Sequence, residues 1–368
     1  MQNIPMQQNS SDKRPRVVVA MSGGVDSSVA AVLLEQQGYS VIGVTMRLWS
    51  QDTINAATGH HQGCCSVEDV EDARRVCQIL GVPHYFLDFQ NEFSAHVMDY
   101  FVAEYQRGRT PHPCIACNDR LKFDFLIDRA DFMGAQFVAT GHYARISYDQ
   151  ECDSYSLLKG VDSHKDQSYV LFNLDQYKLS KVLFPVGWYT KSEIRQIAIN
   201  ANLPVANKPD SQEICFIPQG DYREFLRTRL EPQPGDIVNV EGSVLGRHKG
   251  IEYYTVGQRR GLGLNTNEPL FVIRLDAEKR QVVVGTEAQL SQTEVHVGGI
   301  HFVSGMAPMQ LESVTAKIRY SASAVPGVLE VFDKEGLLHL SSPQRAVTPG
   351  QAAVFYRGDE VIGGGFII

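Results

Sequence analysis

No run of about 18 apolar residues occurs in this chain, so nothing in it reads as a membrane-spanning helix. An apolar stretch of signal-peptide length is also missing from the start. The first fifteen residues, MQNIPMQQNSSDKRP, are polar, and the expectation is a disordered tail over 1–15, no membrane association and a cytoplasmic location. Positive charge is in deficit, with 34 Lys and Arg against 42 Asp and Glu. The resulting net charge of -8 excludes indiscriminate nucleic-acid binding but leaves room for a local basic patch. Cysteine is scarce and odd in number, seven in 368 residues, which excludes a disulfide scaffold and fits a reducing compartment.

What is present is an ordinary globular composition, 43% apolar, in a chain long enough for two or three domains. RVVVAM (16–21) is a short β-branched run that reads as a buried strand. After it come glycines and then SSVAAVLLEQQG, where Val29, Leu33 and Gln36 mark helical spacing and Gly38 supplies the stop. SVIGVTM, HYFLDF and QFVAT add strands, and YVLF after Ser168 reads as another. Ser66-Val67-Glu68-Asp69 has capping-box form, and Val70, Ala73, Cys77 and Leu80 share one face of the helix that follows, with Cys77 expected in the core. Further helices are expected around 93–106 and 118–133, the second beginning at Asn118-Asp119. Strands alternating with helices predict a doubly wound parallel sheet over 16–225. Beyond Cys215 short β-rich runs alternate with Gly, Pro and Asp turns. These predict a small β-rich central domain (226–288) and a C-terminal β-barrel (289–368).

Ser22-Gly23-Gly24-Val25-Asp26-Ser27-Ser28 sits where a strand hands over to a helix. Glycines admit an anion close to the backbone, hydroxyls add donors, and the helix N-terminus contributes amides and a favourable dipole, which together make a phosphate cradle. The GxxxxGK[ST] pattern is absent, and with it the lysine that reaches the terminal phosphates in Walker-type nucleotidases. Thr140-Gly141-His142-Tyr143 follows a strand, so it emerges at the same ligand-binding edge. Lys165-Asp166-Gln167-Ser168 offers a cation and a carboxylate for phosphate or metal, or else is an exposed charged turn.

TPHPCIACN (110–118) holds Cys114 and Cys117 three positions apart. A thiolate attacks far better than a thiol, and Arg107, Arg109, Arg120 and Lys122 supply positive surroundings, as does the helix start expected just after Cys117. A zinc site needs a second matching pair, and no second CxxC exists. Cys215, in SQEICFIP, is the third sulfur of interest. Cys64, Cys65 and Cys152 have no role that the sequence assigns.

In order, SGGVDSS, VTMRLW, GRTPHPCIACN, KFDFL, ATGHYAR, KDQSY, LFPVG, DSQEICFIPQGDYREFL, TVGQRRGLG, KIRY and AVTPGQAAVFY resemble the tRNA-specific 2-thiouridylases of the PP-loop ATP pyrophosphatase superfamily. The resemblance covers nearly the whole chain after the tail. It implies a tRNA sulfurtransferase that uses ATP and Mg2+ to adenylate the C2 oxygen of the wobble uridine (position 34). Sulfur from a protein persulfide then replaces that oxygen, releasing AMP and pyrophosphate. It further implies Cys117 as nucleophile and Cys215 as persulfide carrier, ending as a Cys117–Cys215 disulfide if hydrosulfide is freed. ATP contacts are expected from Ala20, Met21, Ser22, Gly23, Gly24, Val25, Asp26, Ser27, Met46 and Gly141. The target base is expected at His112, Pro113 and Cys114, with tRNA also held by His142, Lys165, Asp166, Gln167, Arg319, Tyr320 and Gln351. Expected partners are a tRNA and a sulfur-relay protein or cysteine desulfurase, with a monomer in the free state.

One departure is Cys114, which stands where many members carry an Asp proposed as an acid or base, a role Asp119 would have to assume. Cys114, Cys117 and Cys215 would alternatively hold three corners of a [4Fe-4S] cluster. The competing functions are a small-molecule PP-loop synthetase and a non-catalytic iron–sulfur or RNA-binding protein.

Overall fold

The computed structural model describes residues 14–49, 67–210, 214–217, 221–307 and 312–368. Residues 1–13 of the expected tail, Cys64, Cys65 and the Ser66 cap lie outside them. Elements are numbered in chain order.

The run RVVVA forms β1, Arg16–Ala20. It is apolar throughout because both its faces are covered: Val17 and Val19 enter one core cluster, Val18 and Ala20 the other. Strand β2 (Ser40–Arg47) pairs with it on one side and β4 (Phe137–Ala139) on the other. With β3 (His84–Asp88) and β7 (Val182–Leu183) the order is β3-β2-β1-β4-β7, all parallel. The chain leaves β1 in opposite directions, so a crevice opens at the carboxyl edge between β1 and β4.

Helix α1 (Val25–Gln36) is buried on every side from Ser27 to Leu34, and Gly38 (φ 88°) ends it. Helix α2 (Val67–Leu80) buries Ala73 and Cys77 of its expected face together with Val76, while Val70 and Leu80 are only half-buried. Helix α3 runs over 90–106 with a wide π turn at Ser94–Met98. Helix α4 spans 113–132, of which Cys117–Phe125 is π-wound. It begins five residues before the expected Asn118 start, because Pro113 at the first helical position has its fixed φ already suited and no amide to leave unpaired. Cys117 is therefore inside the helix, and Cys114 occupies its first turn. YVLF is not a strand. Ser168–Leu171 is a single 3-10 turn whose Tyr169, Val170 and Leu171 are all buried, with Phe172 fully buried after it. A short apolar run buried on all sides carries no period by which to tell the two apart.

Two strands that the sequence did not announce, β5 (Ala144–Asp149) and β6 (Ser154–Lys159), form a hairpin that leaves the parallel sheet. Strand β6 pairs instead with β17 (Glu360–Ile367) of the C-terminal body. Between these bodies, β8 (Gly235–Asn239), β9 (Val244–His248), β10 (Phe271–Asp276) and β11 (Gln281–Gly285) make a four-stranded sheet over its own small core. The remaining strands are β12 (Ser291–Phe302), β13 (Glu312–Lys317), β14 (Val325–Phe332), β15 (Glu335–Arg345) and β16 (Ala352–Arg357). They run β12-β15-β14-β13-β16-β17, and β12 pairs with β17 to close a six-stranded antiparallel barrel. Closure removes the exposed edges.

The barrel is packed onto the first body through a shared core: Ala352, Val354, Tyr356 and Val361 join the cluster that contains Tyr169, Leu171 and Phe172. Gly364 admits the Phe172 ring, which a Cβ there would meet at 2.7 Å. Beside the cysteine segment, the Thr110 amide donates to Pro349 O (2.8 Å), and Gln351 Nε2 donates to Thr110 O (2.8 Å). None of the helices among the described residues is long and apolar enough to cross a membrane.

Gly350 has φ 90°, and a Cβ on it would lie 2.9 Å from Thr110 N and 3.0 Å from Thr110 O, whereas Gly242 has φ 88° with open space around it. Gly350→Ala is expected to lower stability by about 1–3 kcal/mol more than Gly242→Ala in thermal unfolding, because only the former forces the barrel off Thr110.

Candidate active site

The glycine-rich loop Met21–Gly24 leaves β1 at its carboxyl end and feeds α1. Gly23 (φ 71°) makes the turn, and Gly24 precedes the helix without any side chain capping the first-turn amides. The Ser22 amide donates to Ser27 Oγ (3.2 Å), and the hydroxyls of Ser27 and Ser28 donate to Gly24 O (3.2 and 2.8 Å). The loop is thus held from within, and among the described residues no side chain caps the helix start that follows it. Gly141, after β4, touches this loop: a Cβ there would stand 2.6 Å from Ser27 N. Met46 ends the buried part of β2, and the Met21 amide donates to Val44 O (2.8 Å), so the expected nucleotide residues Ala20–Ser27, Met46 and Gly141 share one edge.

Facing the loop is an ion network that the sequence reading missed. Lys191 Nζ donates to Asp26 Oδ1 and Oδ2 (2.7 and 2.8 Å) and pairs with Asp210 Oδ1 (2.8 Å). Asp210 also takes Lys165 (2.7 Å) and Arg195 (3.0 Å), and the Tyr143 hydroxyl donates to Asp26 (2.7 Å). Burial alone would raise the Asp210 carboxyl, but the Lys165 and Lys191 hydrogen bonds outweigh it and hold the group down at about 2. Burial first, then Asp26, pushes the Tyr143 phenol far up, so it stays a neutral donor. Lys208 donates to Gly23 O (3.0 Å), Asp69 (2.7 Å) and Asp72 (2.6 Å). A signal for Lys191 does exist in the sequence. Thr190-Lys191-Ser192-Glu193 is a complete capping box for α6 (Lys191–Asn200), which puts an ammonium at the positive end of a helix. That placement is unfavourable without anions to hold.

Other expected contacts have different neighbours. Asp166 accepts from the amides of Gly160 and Ser168 (3.0 and 3.1 Å), and Gln167 Oε1 accepts from the Tyr143 amide (3.0 Å), so both shape the turn itself. His142 is buried, shares a 2.6 Å hydrogen bond with Thr140 and packs on Phe123 and Phe184; burial drives its pKa well down, leaving it neutral.

At the cysteines, Cys114 is exposed on the first turn of α4, Cys117 is 9% exposed one turn on, and Cys215 is half-buried. The expected cationic surroundings are largely neutralised: Arg107 and Arg109 both face Glu104 (3.0 and 3.7 Å), and Arg120 lies by Asp119 and Asp124. Cys114 itself sits in the first turn of α4, at the positive end of the helix. Asp119 is bound to Lys178 (2.7 Å), which leaves it poorly placed to replace the missing carboxylate. Phe216 anchors the Cys215 turn among Phe93 (5.6 Å) and Phe101 (5.4 Å) of α3 and Phe225 (5.0 Å) of α7 (Tyr222–Arg227). Cys215 packs against the same core cluster that holds Cys117, so the two distant thiols lie against one core.

Beside them is an aromatic corner built by two bodies. The His112 ring lies 6.0 Å from Tyr169 and 5.8 Å from Tyr320, those two rings are 5.8 Å apart, and Lys317 Nζ stands 5.8 Å from each. His112 Nδ1 is buried without a hydrogen-bond partner. Rings, a cation and an unpaired ring nitrogen suit the stacking and edge recognition of an unpaired base.

No group of three or more His, Cys, Asp or Glu among the described residues could hold a metal ion. Cys114, Cys117 and Cys215 as arranged do not fit an iron–sulfur cluster. Asp26 and Asp210, both on Lys191, suit a Mg2+ that takes its other ligands from nucleotide phosphates and water.

A family model described as tRNA methyl transferase HUP domain matches residues 15–219, one described as tRNA methyl transferase PRC-barrel domain matches 223–286, and one described as aminomethyltransferase beta-barrel domain matches 292–367. The tRNA-specific 2-thiouridylase MnmA of Heliobacterium modesticaldum is 51% identical over 361 residues, covering 96% of this chain and 92% of its own. That of Carboxydothermus hydrogenoformans is 49% identical over 358 residues, covering 96% and 98%. Among solved structures, a 4-thiouridine synthetase bound to RNA and ATP aligns with 58% of this chain and 50% of its own at 18% identity, with a TM-score of 0.33 that carries no argument.

Burial lowers the His112 pKa from 6.5 to about 4. The unfolded chain therefore takes up this proton first, and the stabilisation is whole above pH 6.5, shrinks as pH falls toward 4 and levels off below. In urea unfolding at pH 7 and pH 4.5, His112→Gln is expected to narrow the loss on acidification by on the order of 1–2 kcal/mol. An unchanged gap would show that this ring is not the one titrating.

Proposed function

The chain belongs to the tRNA-specific 2-thiouridylase family, and from that premise we propose that it replaces the C2 oxygen of the wobble uridine, position 34, with sulfur at the expense of ATP. Its reaction is tRNA 2-thiolation, and the observation that supports the mechanism is the ion network of Lys191, Asp26 and Asp210 at the glycine-rich loop, in a body whose core also carries Cys117 and Cys215. Although two of the matching models are described by methyl transfer, activation at a phosphate cradle followed by attack from sulfur is the chemistry these residues suit.

The polyphosphate lies against the amides of Ser22–Ser27 and the N-terminus of α1. Lys191 and Lys165 exchange Asp26 and Asp210 for phosphate oxygens; the two carboxylates so released would hold a Mg2+, which would supply charge neutralisation on the leaving pyrophosphate. The uridine, already unstacked in an anticodon loop, is held at the corner formed by His112, Tyr169 and Tyr320, with Arg319, Lys317 and Gln351 nearby on the barrel side. Its C2 oxygen attacks the α-phosphorus, pyrophosphate leaves, and C2 then carries AMP, a far better leaving group than oxide.

Sulfur arrives on Cys215 as a persulfide from a relay protein or a cysteine desulfurase. The Cys117 thiolate attacks the inner sulfur, forming a Cys117–Cys215 bond and expelling hydrosulfide, which adds to C2 as AMP departs. Work on tRNA with reduced thiols fits the cytoplasm.

The deciding experiment is mass analysis of tRNA nucleosides after incubation of the purified protein with ATP, Mg2+, a sulfur donor and tRNA. 2-Thiouridine is expected, Cys117→Ser is expected to abolish it while tRNA binding stays within a few-fold, and an active Cys117→Ser protein would refute the nucleophile. Lys191→Met is expected to weaken ATP binding by about 10- to 100-fold, read by equilibrium binding, because a charge-assisted phosphate contact is lost. Unaltered affinity would leave Lys191 a structural bridge.

A further inference from the structure

The chemistry above gives Cys114 no reacting role, although it stands three residues before the nucleophile. Building on the reading that sulfur transfer ends in a Cys117–Cys215 bond, we propose that Cys114 is the resolving thiol that moves this bond to the protein surface.

Cys117 is 9% exposed and Cys215 is half-buried, and both pack against the core cluster that includes Phe93, Phe101 and Phe216. A disulfide between them is shielded from a protein reductant, which must bring its own thiolate into line with one of the two sulfurs. Cys114 is exposed. It occupies the turn of α4 that directly precedes Cys117, and Ile115, 2% exposed, fixes which side of that turn faces the core. Residues three apart on a helix have Cβ atoms about 5–6 Å apart, roughly 1–2 Å more than a disulfide spans, so a small tightening of this first turn closes the bond, as in other CxxC pairs at a helix N-terminus. Pro113 at the first helical position opens the helix and sets Cys114 in its first turn, where the helix end favours negative charge.

In the step itself the Cys114 thiolate attacks Cys117 Sγ. The Cys114–Cys117 bond forms, the Cys117–Cys215 bond breaks, and the electron pair leaves on Cys215 Sγ, which is then ready for the next persulfide sulfur. This exchange involves no net oxidation. A dithiol protein of the thioredoxin class then supplies two electrons and two protons to the exposed Cys114–Cys117 bond and becomes a disulfide itself. The CxxC is thereby an exit for oxidising equivalents, and the buried pair need never open to solvent.

The test uses the full-length protein loaded with persulfide and given ATP, Mg2+ and tRNA without reductant, followed by alkylation and mass mapping of the cysteine peptides. A Cys114–Cys117 disulfide with alkylated Cys215 is expected. A Cys117–Cys215 bond as the accumulating species overturns the proposal and leaves the thiolation mechanism intact. With 2-thiouridine formed and neither bond present, the mechanism that expels hydrosulfide falls, and the proposal with it. In the second arm, Cys114→Ser is oxidised chemically to the Cys117–Cys215 form. Its reduction by thioredoxin is expected to be slower by about tenfold or more than that of the oxidised wild type, while a small phosphine reduces both alike. Equal rates with thioredoxin overturn the proposal.

Discussion

One ammonium group ties the chemistry of this protein together. Lys191 Nζ lies between Asp26, in the first turn of α1, and Asp210, four residues before the turn that carries Cys215. The pairs are partly buried, with the lysine side chain 12% exposed, so separating them without a substitute leaves charges uncompensated. A polyphosphate with its Mg2+ is such a substitute. On the proposed function, exchange of partners at Lys191 would link nucleotide occupancy to Asp210, which lies just ahead of Cys215 in the chain.

The second constraint is the seam between the parallel sheet and the barrel. Tyr169 donates to Ala352 O (2.9 Å), Gln351 reaches Thr110, and Gly350 and Gly364 allow backbone and ring to approach closely. The seam passes beside the cysteine helix, so the aromatic corner takes His112 and Tyr169 from the first body and Lys317 and Tyr320 from the barrel side. A base can be held there only when the two are docked. A net charge of -8 is compatible with this because recognition rests on rings and a few placed cations more than on a broad positive field.

The cysteine segments meet α3. Its Phe93 and Phe101 receive Phe216, whose neighbour is Cys215, and its cluster also contains Cys117. Thiols separated by about a hundred residues are thereby held to one core by aromatic packing, with the reactive sulfurs at its margin. On the proposed function, shielding of that kind would protect a persulfide from solvent thiols and would equally hide the disulfide left behind.

The chain determined by itself whatever depends on local pattern. Strand β1 is legible because three consecutive valines favour a strand and the glycines that follow end it, and the phosphate cradle is legible because glycines and hydroxyls between strand and helix have few other uses. Cys77 declared itself core through its helical spacing. The family resemblance names Cys117 and Cys215 as a pair, and the fold sets both against one core cluster. Tertiary structure alone decided the rest. YVLF became a turn because burial on every side erases periodicity, β5 and β6 left their sheet for β17, and the arginines around TPHPCIACN were neutralised by Glu104, Asp119 and Asp124. Lys191 acquired its place from Asp26 and Asp210, 165 residues away on one side and 19 on the other. Spacing along a chain encodes which face a residue takes, but which charges meet across a crevice is fixed only when the sheet brings its loops to one edge.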